Sequence, residues 1–167
     1  EITSGETQLK ANMEQYNASK QALDDRFQNE IQPKLIQLQS KLGQNQEAYH
    51  KIIDAINNTK VSLENAKAEN PPDEAKIKEL EQQLEDYQNT SKVMEKDIGD
   101  LQNQIAGLGK TYHDAKAKLD EIKAQLDAAS SALRTSRNQL EQGKAEASAE
   151  LDAAEAQEKT GWKQYKS

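Results

Sequence analysis

Gly109-Lys110-Thr111 echoes the end of a phosphate-binding loop, where backbone N–H groups cradle phosphates and a lysine neutralises them. That motif needs glycine at position 104, where this chain has Gln104, and a preceding strand, where this chain has a helical pattern. The motif fails, and a role in loosening a helix is the better reading of the glycines. His50 and His113 are the only imidazoles. The hairpin register derived below sets them about 20 residues, or roughly 30 Å, apart along the helices, so they build no metal site. Carboxylates are plentiful but fall on exposed helix faces, where nothing tunes them for acid–base work. Serine and threonine occur without a base to activate them. Asn17, Asn57 and Asn89 each open an Asn-x-Ser/Thr triplet, which matters only in a eukaryotic secretory pathway; chance accounts for them in an Asn-rich helical sequence. Cysteine is absent, which removes disulfides and thiolate ligands and is compatible with a compartment where free thiols are a liability, as it is with a cytosolic coiled coil. No enzyme, no cofactor and no metal are expected.

The elements that carry these residues are set by periodicity. From Ile77 to Gly143 the seam runs in alternating steps of three and four through Leu80, Leu84, Tyr87, Ser91, Met94, Ile98, Leu101, Ile105, Leu108, Tyr112, Ala115, Leu119, Ile122, Leu126, Ala129, Leu133, Ser136 and Leu140. That rhythm belongs to a long coiled-coil helix. A hydrophobic content of 34% and a mean hydropathy of −1.04 suffice for one narrow apolar stripe and not for a globular core of this length. The net charge is −7, with lysines scattered among glutamates and aspartates instead of clustering, which argues against a nucleic-acid or anionic-membrane surface. No apolar run approaches the length needed to cross a bilayer, and no signal-peptide core is present. The pattern is already under way at Glu1-Ile2, so either a complete soluble rod or a piece of a longer protein is expected, and the missing start signal favours the second.

Asn70-Pro71-Pro72-Asp73 is the one strong breaker. Pro71 disfavours helical geometry at Asn70, so a first helix must end there. Asn70 is expected to cap the second helix, with Pro71 in its first turn and Asp73 and Glu74 near its positive end. Helices joined this tightly lie antiparallel. The fold expected is therefore all-α: a long antiparallel two-helix coiled-coil hairpin with a tight Pro-Pro turn, a single domain over 1–167. Its first helix covers about 2–68, its tip 69–73 and its second helix about 74–165.

Antiparallel partners lie at mirrored distances from the turn. Folding the chain between Pro71 and Pro72 pairs Ala66 with Ile77, Leu63 with Leu80, Ile56 with Tyr87, Ile52 with Ser91, Tyr49 with Met94, Leu42 with Leu101, Leu38 with Ile105 and Leu35 with Leu108. Ile2, Leu9, Tyr16 and Leu23 form a second set at seven-residue spacing that meets Leu140, Leu133, Leu126 and Leu119. Gly5, Asn12 and Ser19 fall between them opposite Ser136, Ala129 and Ile122, small layers that would let the helices approach closely. The two sets are out of phase, because Leu23, Phe27, Ile31 and Leu35 are spaced by fours. Pro33 should kink the helix at this drift, with Gly107 and Gly109 at about its level on the other limb, and a joint is expected there, the alternative being a mild bend with no functional role. Gly43 and Gly99 face each other as a weaker flexible point. The two limbs would make an arm on the order of 100 Å long. The segment from Glu141 onward has no partner within the chain, although it carries Leu151, Trp162 and Tyr165.

Ile2-Thr3-Ser4-Gly5-Glu6-Thr7-Gln8-Leu9, Leu140-Glu141-Gln142-Gly143-Lys144 and Gly161-Trp162-Lys163-Gln164-Tyr165 share a glycine set between large residues at heptad-like spacing. These Gly-containing heptads resemble the extracellular coiled-coil insertions of large FtsX-like (MacB-like) ABC transporter permeases of Gram-positive bacteria. Phage-infection-protein-like membrane proteins carry similar heptads. The resemblance implies a hairpin on the outer face of the cell membrane, between a transmembrane helix and an extracytoplasmic domain, that couples to transport or captures a partner or substrate. Its partners would be the remainder of its own membrane protein and an extracellular protein or peptide at the tip; no nucleic acid is implied, and a monomeric hairpin is favoured. Candidate contacts are Asn70, Pro71, Pro72 and Asp73 at the tip, Pro33, Gly107 and Gly109 at the joint, and Trp162 and Tyr165 at the base. Two other readings stand beside this one: the hairpin of a periplasmic efflux adaptor, and a cytoplasmic spacer arm of a chromosome-maintenance-type ATPase. The tip lacks the Arg, Leu and Ser pattern of the first and the hinge or metal hook of the second.

Overall fold

The computed structural model describes the whole chain, Glu1 to Ser167. It is an all-α helical hairpin without strands. Helix α1 covers Ile2–Arg26, a π-helical turn covers Phe27–Ile31, α2 covers Gln32–Ala68, and α3 covers Glu74–Lys166. Contacts divide the chain into two units: unit 1 is Glu1–Ala22 with Lys116–Ser167, and unit 2 is Leu23–Ala115.

Unit 2 holds every buried side chain: Ile31, Leu38, Ile56, Thr59, Leu63, Ala66, Ser91 and Leu101. Its limbs run antiparallel, since Lys67 meets Glu81, Tyr49 meets Glu95 and Phe27 meets Tyr112. Along α3 the covered positions are Ile77, Leu80, Leu84, Tyr87, Ser91, Met94, Ile98, Leu101, Ile105, Leu108, Tyr112 and Ala115, joined by Gly99 and Gly109 beside the stripe. That is the three-and-four rhythm of a seam. Thr59 is a seam residue that hydrophobicity alone does not reveal. It lies opposite Leu84 in the mirrored numbering and donates its hydroxyl to the Ala55 carbonyl at 2.7 Å. Ser91 likewise donates to the Gln88 carbonyl at 2.8 Å. Both bury a hydroxyl at low cost because a carbonyl of the same helix accepts the proton.

The phase drift has a specific cause. Residues four apart on an α-helix advance about 400°, so Leu23, Phe27, Ile31 and Leu35 could not all face one seam on a regular helix. The π turn absorbs one extra residue, with the Gln32 N–H donating to the Phe27 carbonyl five residues back. Pro33 then falls in the first turn of α2, where its missing donor costs least.

The start of α3 departs from the sequence expectation. Asp73, not Asn70, caps the helix. Its Oδ1 accepts from the Lys76 N–H at 3.2 Å, and its carbonyl accepts from the Ile77 N–H at 3.0 Å. Glu69 is already extended (φ −63°, ψ 145°), and neither Pro71 nor Pro72 enters the helix. Asp73 takes the role because it immediately precedes α3, whereas Asn70 lies behind the extended Pro71-Pro72 and is too far from the helix start, and its side-chain oxygen meets an unpaired N–H of the first turn.

Unit 1 is packed more sparsely. Ile2, Gly5, Glu6, Leu9 and Tyr16 on one limb and Leu119, Leu126 and Leu133 on the other are half-buried, and nothing is fully buried. The seam here closes on one bulky residue in seven. Ile122 is 42% exposed and Leu140 46% exposed, and Ala129, Ser136 and Gly143 are exposed as well. The close approach expected at the small layers is seen at Gly5, where an added Cβ would lie 3.0 Å from a Leu133 methyl. Asn12 and Ser19 remain exposed, because short polar side chains have nothing with which to cover Ile122 and Ala129. Beyond Leu133 every residue of α3 is exposed.

Candidate functional site

Three places were singled out by sequence, and the fold keeps them separate along the chain. At the tip, Asn70, Pro71, Pro72 and Asp73 are all exposed. The ends of the two helices are clipped by ion pairs, Lys76 with Glu69 and Lys67 with Glu81, each at 3.7 Å. Such exposed pairs contribute little stability. The tip presents two proline rings and an amide that no ion pair or side-chain hydrogen bond engages, while Asp73 is spent on the cap.

At the joint, the irregularity belongs to the first limb alone. Phe27, the first residue of the π turn, stacks on Tyr112 with centroids 4.3 Å apart and planes at 30°. α3 passes through Gly107 and Gly109 without interruption, and a Cβ at either would meet nothing within 4 Å. Neither glycine is required by close packing. The Gly107 carbonyl accepts from the Thr111 hydroxyl at 2.9 Å, and Lys110 pairs with Asp114 at 2.6 Å. The residues of the failed phosphate motif are thus occupied by helix-local bonds. The carboxylate of Asp114 raises the Lys110 pKa, as that of Asp127 raises the Lys123 pKa.

Near the centre of unit 2, the Tyr49 hydroxyl donates to the Glu95 carboxylate at 2.6 Å across the limbs. That hydrogen bond first, then desolvation and the carboxylate's charge, holds the phenol above its ordinary pKa. The sequence pattern marked Tyr49 only as a seam residue, and its polar end was not anticipated. A mirrored register that places Tyr49 against Met94 sets Glu95 beside it, which was the available signal.

At the base, Trp162 is 56% exposed and Tyr165 84% exposed, with rings edge to face at 6.0 Å. Unit 1 also has a side groove of about 420 Å³, lined by Asn12, Gln15, Tyr16 and Ser19 on one limb and Leu119, Ile122, Gln125, Leu126 and Ala129 on the other. It is the open small-residue layer seen from outside.

No group of three His, Cys, Asp or Glu side chains could hold a metal ion, and no buried side-chain polar atom lacks a hydrogen bond. No helix is long and apolar enough to cross a membrane. Compared with protein families, with curated proteins and with solved structures, the chain matches none.

Proposed function

We propose that the chain is a non-enzymatic helical arm that acts as a spacer or as an element that captures a partner or substrate. The observation that carries this reading is how the interior is spent. Every buried side chain belongs to the pairing of two helices, and the two buried hydroxyls bond their own helix. Nothing convergent is left over for chemistry, whereas the tip is exposed and its prolines carry no structural bond. In the finer reading, which rests on the Gly-containing heptads, the arm belongs to an ABC transporter permease and stands on the extracellular face of a Gram-positive cell membrane. The tip then meets an extracellular protein or peptide, and the base meets the rest of the membrane protein.

Labelling intact cells that carry the gene with an antibody raised against the tip loop tests this reading. Labelling before permeabilisation supports the extracellular arm. Labelling only after permeabilisation overturns it and moves the protein to a cytoplasmic spacer arm.

A further inference from the structure

We propose that unit 1 pairs two copies of this chain through a charge-free face that α1 and α3 share there. On α1 the face is built from Gln8, Ala11, Asn12, Gln15, Ala18 and Ser19, all exposed. On α3 it is built from Ile122, Gln125, Ala128, Ala129, Ala132 and Ser136, also all exposed. The groove of about 420 Å³ fixes both rows on one side of the hairpin, because Asn12, Gln15 and Ser19 line it together with Ile122, Gln125 and Ala129. At about 100° per residue, Glu6, Lys10, Glu14 and Lys20 on α1, and every charge of α3 from Lys123 to Glu141, lie about 110° or more around from the centre of this face. Lys118 and Glu121 close it at one end of α3. In a chain of which 31% of residues are charged, a solvated exterior would not leave a two-helix face bare of charge over so many turns.

Charge and area select a second copy as the occupant. A helix bringing charges to this face would bury them against methyls and amides that leave them unpaired, so the partner must present a charge-free face of its own. The same face of a second copy meets that condition and keeps the carboxylates of both acidic chains on the outer sides. From Ser4 to Ala22 the face runs about 27 Å, and two helices side by side are about 20 Å wide. Pairing it with its copy covers about 1,100 Å² in all, just above the ~1,000 Å² that a specific interface needs. The face also complements itself in shape. A two-fold axis crossing α3 at Ala129 sets each Ile122, which lacks cover within its own hairpin, against the small Ser136 of the other copy. On α1 the mirrored numbering puts that axis level with Met13, so Gln15 meets Ala11 and Gln8 meets Ala18, long against short each time. The pairing departs from the monomer that the sequence favoured, and it is independent of the compartment and of what the tip meets.

Sedimentation equilibrium of the whole chain over micromolar concentrations tests the proposal. The expected result is a reversible monomer–dimer equilibrium without larger species, since an isologous face is used up by one partner. Ala129→Glu places two carboxylates at the axis and should weaken the dimer at least about a hundredfold. Arg134→Gln, on the far side of α3, should leave the dissociation constant unchanged. The chain has no cysteine, so Ala129→Cys should cross-link pairs under mild oxidation, whereas Arg134→Cys should not. Should Ala129→Glu lose helicity by circular dichroism, the two cysteine variants decide the matter. A monomer at every concentration would overturn the proposal and leave the face to a different partner. So would a dimer indifferent to Ala129→Glu, or one cross-linked as readily through Arg134→Cys.

Discussion

Leu101 is the test of the seam. It is 5% exposed, belongs to unit 2, and is the one aliphatic side chain of α3 that is buried. Truncation to alanine removes three buried carbons at about 0.8 kcal/mol each, or about 2.4 kcal/mol. A two-helix seam is open to water on both flanks, so little enclosed cavity remains. The cost should therefore stay near the bottom of the ~2–5 kcal/mol range for buried Leu→Ala. That is about a fiftyfold loss in the folding equilibrium. Leu101→Asp should cost more, since a carboxylate placed between apolar layers must be partly desolvated. Urea unfolding followed at 222 nm measures both, with Lys96→Ala, at an exposed position of the same helix, as control. If Leu101→Ala shifted the midpoint no more than Lys96→Ala, the face assigned to the seam would be wrong.

The π turn offers a second test. Deleting Asn29 together with Pro33→Ala turns the four-residue spacing of Phe27 and Ile31 into three and removes the need for the wide turn. Stability should then change by less than about 1 kcal/mol, whereas deleting Lys60 from α2 should cost several, by rotating one side of the seam away from the other. Equal losses would show that the π turn does not correct phase. Tyr49 gives a pH test. Its folded pKa lies above the ordinary value, so the Glu95 bond contributes stability that is complete below about pH 10. That contribution is lost as pH rises through the folded pKa. Ultraviolet titration near 295 nm should show a late-ionising tyrosine that Glu95→Gln moves to lower pH; a titration curve unchanged by that substitution would refute the bond. Glycines supply a contrast as well. Gly107→Ala meets no atom within 4 Å and should stabilise the helix by about 0.8–1 kcal/mol, while Gly5→Ala must displace Leu133 and should gain less. Equal gains in thermal melting would deny the close approach at Gly5.

The all-α hairpin was legible because heptads and a proline breaker are strong local signals, and every position of the rhythm from Ile77 to Ala115 is covered in α3. Legibility failed where the decisive fact belonged to the partner limb. Ile122 sits in the rhythm but is left 42% exposed, because nothing large enough faces it. Thr59 was missed for the opposite reason, since burial came from its position and its hydroxyl was satisfied locally. Asn70 was expected to cap α3, yet the chain stays extended through Pro72, which leaves the role to Asp73. The drift at Leu23, Phe27, Ile31 and Leu35 was visible as a spacing anomaly. Spacing alone does not distinguish a kink from a π turn, and the Gln32 to Phe27 hydrogen bond decides it. The exposure of Trp162 and Tyr165 was legible as well, because the mirrored numbering leaves the segment from Glu141 onward without a partner limb in this chain.

The two units use one design with different fillings. Unit 2 fills both seam positions of each heptad, so each turn of its helices is held by side chains from the other limb. Unit 1 fills one in two, leaving Asn12 and Ser19 where bulk would be needed. Local stability follows buried apolar area. Hydrogen exchange along α3, a single helix of 93 residues, should therefore slow over Leu84–Tyr112, quicken from Lys116, and be fastest beyond Gly143, where helix propensity alone must hold the backbone. The part of α3 that carries Trp162 and Tyr165 is thus the part least committed to the hairpin.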